Sequence, residues 1–183
     1  MRLVPGTRAL AEAEISDSAR LATLLGAEVP TDWPPESVRD VLPLFLENSV
    51  DSADGGRWNL GWYGLLQIRE TLVLCGSVGF KGAPTSAGMV EIGYAVLPAY
   101  QRRGIATEMV TALSEWALSQ PKVTLVEAET ALENAGSVRV LKNAGFVICS
   151  TAGATAPARF QLRRGSVPPG VASDGASRSA LPR

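Results

Sequence analysis

Between two apolar runs lie six residues, Gln101-Arg102-Arg103-Gly104-Ile105-Ala106, whose types and spacing suit them to bind an anion. The run before them, Met89 to Leu97, is apolar and β-branched and stops at Pro98, while a helical pattern begins at Arg102 or Arg103. The six therefore fall where a strand turns into a helix, and the first four N–H groups of that helix have no intrahelical acceptor. A phosphate placed there accepts from several of them and gains from the positive end of the helix dipole, worth roughly 0.3–1 kcal/mol when exposed. Gly104 lets the backbone approach the ligand, Ala106 keeps the next inward position small, and Arg102 and Arg103 add positive charge. The spacing is neither the Gly-Lys-Ser/Thr of a Walker loop nor the Gly-x-Gly-x-x-Gly of dinucleotide folds. A pyrophosphate is the ligand it suggests; the plainer reading is a turn whose glycine merely packs closely.

Composition narrows the remaining chemistry. The chain has no histidine, which removes Ser-His and Cys-His nucleophile pairs and His-ligated metals. Cys75 and Cys149 stand singly in apolar runs and read as buried thiols, so no metal site is expected. A net charge of −1 leaves no general basic surface for nucleic acid. No apolar run approaches the ~20 residues of a membrane span, and the N-terminus lacks the apolar core of a secretory signal. A cytoplasmic protein with no nucleic-acid or membrane partner is expected.

The elements that must position the turn follow from periodicity. Thr7 to Glu14 reads as a first strand, and Ser16 or Asp17 then caps a helix carrying Leu21, Leu24 and Leu25 and closed by Gly26. Pro30, Pro34 and Pro35 make an extended connection around Trp33, and Glu36 to Glu47 reads as a helix interrupted at Pro43. Trp58 to Ile68 and Thr71 to Lys81 read as antiparallel strands, with Gly76, Gly79 and Gly82 as bulge or close-approach glycines. Met89 to Leu97 is the central strand. Arg103 to Ser119 is a helix burying Ile105, Met109, Val110, Leu113, Trp116 and Ala117. Val123 to Ala128 is a short strand, Asn134 to Asn143 a helix stopped by Gly145, and Phe146 to Thr151 and Ala158 to Arg163 the last strands. Trp58, Leu60 and Trp62 share a face that is either core or a binding wall; Trp33 and Phe45 read as packing residues. Residues 1–163 make one domain, and 164–183 are too poor in large apolar residues to offset ordering entropy and read as a disordered tail.

Two stretches together carry a family resemblance. Glu91-Ile92-Gly93-Tyr94 followed by Gln101-x-x-Gly104-x-Ala106, and then Asn134-x-x-Ser137 in a helix ending Gly145-Phe146, resemble the GNAT superfamily of acyl-CoA-dependent N-acyltransferases. The likeness covers residues 56–163 well, and the ending Val140-Leu141-Lys142-Asn143-Ala144-Gly145-Phe146 is similar to the ribosomal-protein-type N-terminal acetyltransferases. It implies an α/β fold with a mixed, mostly antiparallel sheet of about six or seven strands and about four helices, splayed between the fourth and fifth strands. Acetyl-CoA would lie in the gap, with backbone groups near Ala95, Val96 and Leu97 holding pantetheine. Arg102, Arg103, Gly104, Ile105, Ala106 and Thr107 would surround the pyrophosphate. Asn134 matches a residue that often contacts the cofactor arm, although a helix N-cap explains it equally well. The same likeness implies that the region of Trp33 and Phe45 lines an acceptor substrate.

The reaction so implied is direct attack by a primary amine on the thioester, without metal. The resemblance makes Glu91 the first candidate base; a structural pairing with an arginine is the alternative, and Glu127 and Glu129 follow. The family's frequent thiolate-protonating tyrosine is replaced by Leu141, with Tyr94 and Tyr100 as other donors; a thiolate leaves tolerably without an acid because a thiol's pKa is about 8.5. The resulting expectation is an N-acetyltransferase for a small-molecule amine or a protein N-terminus. Two rivals are a non-catalytic acyl-CoA-binding module and an interaction domain presenting Trp33, Trp58 and Trp62. Homodimers through a sheet edge are common in the family resembled.

Overall fold

The computed structural model describes residues 1–40, 42–43, 46, 58–59, 61–151 and 157–165. Seven described strands form one sheet: β1 (Arg2–Pro5), β2 (Trp62–Ile68), β3 (Thr71–Phe80), β4 (Met89–Val96), β5 (Leu125–Thr130), β6 (Val147–Thr151) and β7 (Ala158–Arg163). Their order is β1-β2-β3-β4-β5-β7-β6, so the strand before the anion-binding turn is central. The β4–β5 pair is parallel and the other pairings are antiparallel. A parallel pair requires a crossover, supplied by helix α4 (Ile105–Ser119).

That pair is short. Met89, Val90 and Glu91 lie opposite Leu125, Val126 and Glu127, but β4 continues to Val96 and β5 to Thr130 without further pairing. Beyond Glu91 the strands part, and the sheet opens where the sequence resemblance implied a splay.

Helices cover both faces. Ile105, Met109, Val110, Leu113 and Ala117 of α4 and Leu141 of α5 (Ala135–Asn143) pack on Val90, Ile92, Val126 and Phe160. On the opposite face, Leu10 and Ala13 of α1 (Arg8–Ser16) and Leu21 and Leu25 of α2 (Ser18–Leu25) meet Tyr63, Leu65, Leu74 and Leu97. A bulge reconciles the two: Gly64 faces Gly76 and Leu65 faces Leu74, leaving Cys75 as the extra residue and reversing which side of β3 faces which core. Next to it a Cβ on Gly76 would come within 2.5 Å of the Ala95 carbonyl, so the close-approach reading of that glycine holds. Trp58 packs at a tilt against Phe80 and Trp116, with ring centroids 4.9 and 5.0 Å away, and is core.

The structure corrects several expected boundaries. Residues 8–16 are helix, not strand, because Thr7 caps Leu10 N–H at 3.2 Å and the run is Ala, Glu and Leu, strong helix formers without β-branching until Ile15. The first strand lies earlier, at Arg2–Pro5. Helix α2 is capped by Asp17 and closed by Gly26 as expected. The helix expected from Glu36 begins as α3 (Glu36–Arg39) and breaks at Asp40; Leu42, Pro43 and Leu46 are helical again. Strand β2 starts at Trp62 rather than Trp58, after Gly61 at φ 66°. Cys149 is exposed on the edge strand β6, whereas Cys75 is buried and its thiol pushed up by that burial. Phe45, Leu60 and residues 166–183, including most of the expected tail, lie outside the described residues.

Candidate active site

Two left-handed residues shape the anion-binding turn. Arg102 at φ 61° and Gly104 at φ 79° curl the chain and delay helix α4 to Ile105, two residues beyond the expected start. The first helical bond runs from Glu108 N–H to the Gly104 carbonyl at 3.0 Å, and no side chain caps the helix start. The N–H groups of Gly104, Ile105, Ala106 and Thr107 thus have no intrahelical acceptor. A Cβ at Gly104 would meet no protein atom within 4 Å, so the position is open toward the cleft and also conformationally suited to glycine. These residues fit a diphosphate.

The turn lines a cleft of about 940 Å³ that runs from the unpaired end of β4 to α5 (Ala135–Asn143). Tyr94, Ala95 and Val96 form one wall; the other is α5, where Gly136, Ser137, Val140 and Asn143 recur at helical spacing with Arg139 beside them. Asn134 lines the cleft and also caps α5, its Oδ1 accepting from Ser137 N–H at 3.0 Å, so both readings of it are compatible. Leu97 N–H donates to the Cys75 carbonyl at 2.9 Å, toward β3. By ladder alternation the backbone groups of Val96 face the gap instead, and its carbonyl accepts from the Gln101 side chain at 2.9 Å.

The structure therefore brings Ala95, Val96, Arg102, Gly104, Ile105, Ala106, Thr107 and Asn134 together on one cleft, and leaves two expected residues off its lining. Leu97 is buried on the α1/α2 face with its N–H used, and Arg103 is exposed outside it. Tyr100, Ser137, Arg139 and Asn143 line the cleft without having been singled out as ligands, and so does Gln101, which the sequence placed in the turn without assigning it a contact. The signal for Ser137, Arg139 and Asn143 was present in the helix of the second motif.

A second cavity, of about 310 Å³, adjoins the first and shares Ser37, Tyr94 and Ala95 with it. Tyr94 reaches across the gap, its hydroxyl 2.6 Å from Ser137 Oγ; burial raises the phenol's pKa and this hydrogen bond moderates the rise. Val38, Leu42 and the glycines Gly61, Gly79 and Gly93 make the smaller cavity largely apolar, and one buried carboxylate, Glu14, lines it. Tyr63 O–H donates to Glu14 Oε2 at 2.5 Å and Trp33 Nε1–H donates to Oε1 at 2.9 Å. Burial pushes the Glu14 carboxyl up to about 7 despite the lowering effect of both donors. Burial, then the adjacent carboxylate, pushes Tyr63 upward too.

The expected base lies elsewhere. Glu91 forms an ion pair with Lys81 and lines neither cavity. Glu127 accepts from Gln161 at 2.5 Å, and Glu129 pairs with Arg159 at 2.8 Å. Leu141 is wholly buried. Among the described residues no three His, Cys, Asp or Glu side chains cluster as a metal site, and no helix is long and apolar enough to cross a membrane.

A mixed sheet parting beside its parallel pair, with an anion-binding helix start facing the gap, is the architecture of the acyl-CoA-dependent transferases that the sequence resembles. The family model for an acetyltransferase (GNAT) domain matches residues 9–147, and the chain belongs to that family. It is 31% identical over 124 residues to the uncharacterized N-acetyltransferase YjdG of Bacillus subtilis, covering 68% of this chain and 72% of that protein. With YoaA of the same organism, also named an uncharacterized N-acetyltransferase, identity is 28% over 92 residues, 50% of this chain and 49% of that one. A mutant of spermidine N-acetyltransferase SpeG from Vibrio cholerae has a similar fold, at TM-score 0.57 and 15% identity over 90% of this chain and 95% of that one. So does a GNAT-family acetyltransferase from Streptococcus pneumoniae, at TM-score 0.57 and 12% identity over 88% and 98%.

Proposed function

We propose that this protein transfers an acetyl group from acetyl-CoA to a primary amine by direct attack, the donor lying in the cleft beside β4 and the amine entering from the smaller cavity. One observation carries the reading: the free N–H groups at the start of α4, the gap-facing backbone of Val96 and the Asn134-capped start of α5 line a single cleft. When bound, acetyl-CoA supplies an electrophilic carbonyl carbon and a thiolate leaving group. The N–H groups of residues 104–107, with Arg102, hold the diphosphate by charge-assisted hydrogen bonds. Val96 N–H faces the gap and can bind pantetheine or polarise the thioester carbonyl, oriented in advance by the β3–β4 ladder. The Tyr94 and Ser137 hydroxyls, 2.6 Å apart across the gap, are the nearest proton source for the departing sulfur. They take the place of the tyrosine that Leu141 displaces.

The meeting of the two cavities at Tyr94 and Ala95 supports a ternary complex rather than an acyl-enzyme, because donor and acceptor reach the same stretch of β4. The motif ending at Gly145-Phe146 suits a branch that acts on protein N-termini, whereas the small volume beside Glu14 favours a compact amine. Acetyl-CoA-dependent thiol release against a panel of primary amines tests the assignment. Amine-stimulated release is expected; saturable acetyl-CoA binding with no release for any amine would instead favour the non-catalytic module. The interaction-domain rival loses its surface, since Trp33, Trp58 and Trp62 are all buried.

A further inference from the structure

We propose that Glu14 is the charge anchor and proton acceptor for the acceptor amine, and that the cavity it lines selects a small primary amine on an apolar, arylalkyl body. The proposal rests on the acetyl-transfer reading above and names its acceptor class.

The geometry begins with a carboxylate in an unusual place. Glu14 is 9% exposed, on the apolar face of α1, and no cation pairs with it among the described residues. Two hydrogen bonds, one to each oxygen from Tyr63 and Trp33, fix its orientation. An ionised carboxylate offers about four acceptor sites, so capacity remains on the cavity side. Around it Val38 and Leu42 are apolar, Ser37 and Ser77 carry hydroxyls but no charge, and Lys81 is already paired with Glu91. Among the described residues the uncompensated charge of the cavity is therefore a single negative one, in surroundings where an ion pair is stronger than in water. One ammonium satisfies it. A polyamine would bring further charges into a cavity whose described lining holds no further carboxylate.

Glu14 is also suited to move a proton. Its pKa of about 7, raised by burial, lies near neutrality, where a general base is most effective. The groups facing it are Tyr63 from β2 and Trp33 from the connection before α3; Lys81 and Tyr94 line the same cavity, held by Glu91 and Ser137. The ammonium gives one proton to the carboxylate, leaving a neutral amine. Its nitrogen lone pair forms the C–N bond, the C–S bond breaks with its electron pair on sulfur, and the Tyr94–Ser137 hydroxyls give the thiolate a proton that the nitrogen's second surplus proton replaces. Glu14 then returns its proton to solvent.

Two measurements on the full chain test this: calorimetric titration of 2-phenylethylamine without donor, and thiol release with acetyl-CoA and the same amine across about pH 5.5 to 9. The wild type is expected to bind and acetylate 2-phenylethylamine in preference to spermidine, with kcat/KM rising through a limb near pH 7. Glu14→Gln is expected to weaken amine binding at least tenfold, lower kcat/KM about 10²-fold and remove that limb, while acetyl-CoA still raises the melting temperature as in the wild type. Tyr63→Phe keeps the carboxylate but removes a hydrogen bond that lowers its pKa, so the limb is expected to move to higher pH. Glu91→Gln keeps the limb. An unchanged limb in Glu14→Gln, its loss in Glu91→Gln, a preference for spermidine, or acetyl-CoA binding with neither binding nor acetylation of 2-phenylethylamine would each overturn the proposal. Failure of acetyl-CoA to bind the wild type would strike the transfer reading instead, and the donor-free titration would still judge the cavity.

Discussion

At the scale of single residues, Glu14 has a consequence that needs no substrate. Burial, the largest cause, raises its carboxyl from an ordinary 4.5 to about 7. Between those values the unfolded chain has released a proton that the native protein retains, so stability falls as pH rises through the window and levels off above it. The contribution is on the order of 3 kcal/mol. Glu14→Gln removes the titration, so denaturant melts should show the variant gaining on the wild type between pH 5 and 8; a constant difference would contradict the burial described. The sequence concealed this residue. Ala11-Glu12-Ala13-Glu14 alternates like a strand and puts the carboxylate on a solvent face, whereas helical spacing places Glu14 beside Leu10 and Ala13. A carboxylate on an apolar helix face was the signal, and only the helical period reveals it. Glu91 shows the reverse: its strand was legible, but its pairing with Lys81 from the neighbouring strand depends on register, which residues 81 and 91 do not announce.

At the scale of elements, the two helix starts flanking the gap act differently. The start of α4 has no side-chain cap and is available to an anion, while that of α5 is capped by Asn134. Gly104→Phe forces a β-carbon into a left-handed residue at a cost of about 1–3 kcal/mol and fills the space in front of the free N–H groups. We expect a folded variant with lower melting temperature on which acetyl-CoA has no stabilising effect; wild-type affinity would remove the turn from the site. Asn134→Ala should cost about 1 kcal/mol through the lost cap, measurable by denaturant unfolding. Leu141→Tyr would not restore the family's usual proton donor. Position 141 is wholly buried, so the larger side chain should destabilise the fold by about 1–3 kcal/mol without raising turnover. Both helix starts were legible because Gly104 and Asn134 are punctuation residues with distinct local roles. The left-handed Arg102 was not, since arginine carries no preference for that conformation.

For the whole molecule, the long apolar helix α4 and the runs flanking the gap announced themselves by period, and the two motifs in order implied the mixed sheet and its parting. The N-terminal third was less readable. There the chain has short elements, proline-rich connections and alanine-rich sequence whose helical and strand periods conflict, and contacts from β2 and β3 decide the outcome. That third supplies Glu14, Trp33 and Ser37, so the acceptor side was obscure where the donor side was plain. Family membership agrees with the proposed donor side, a single cleft built from β4, the start of α4 and α5. Thermal unfolding of the full chain against increasing acetyl-CoA measures binding there most directly, because a ligand that binds only the native state stabilises it by about 2.7 kcal/mol at a hundredfold excess over Kd. A saturable rise in melting temperature is expected in the wild type, abolished in Gly104→Phe. No rise in the wild type, or an equal rise in the variant, would contradict the proposed site.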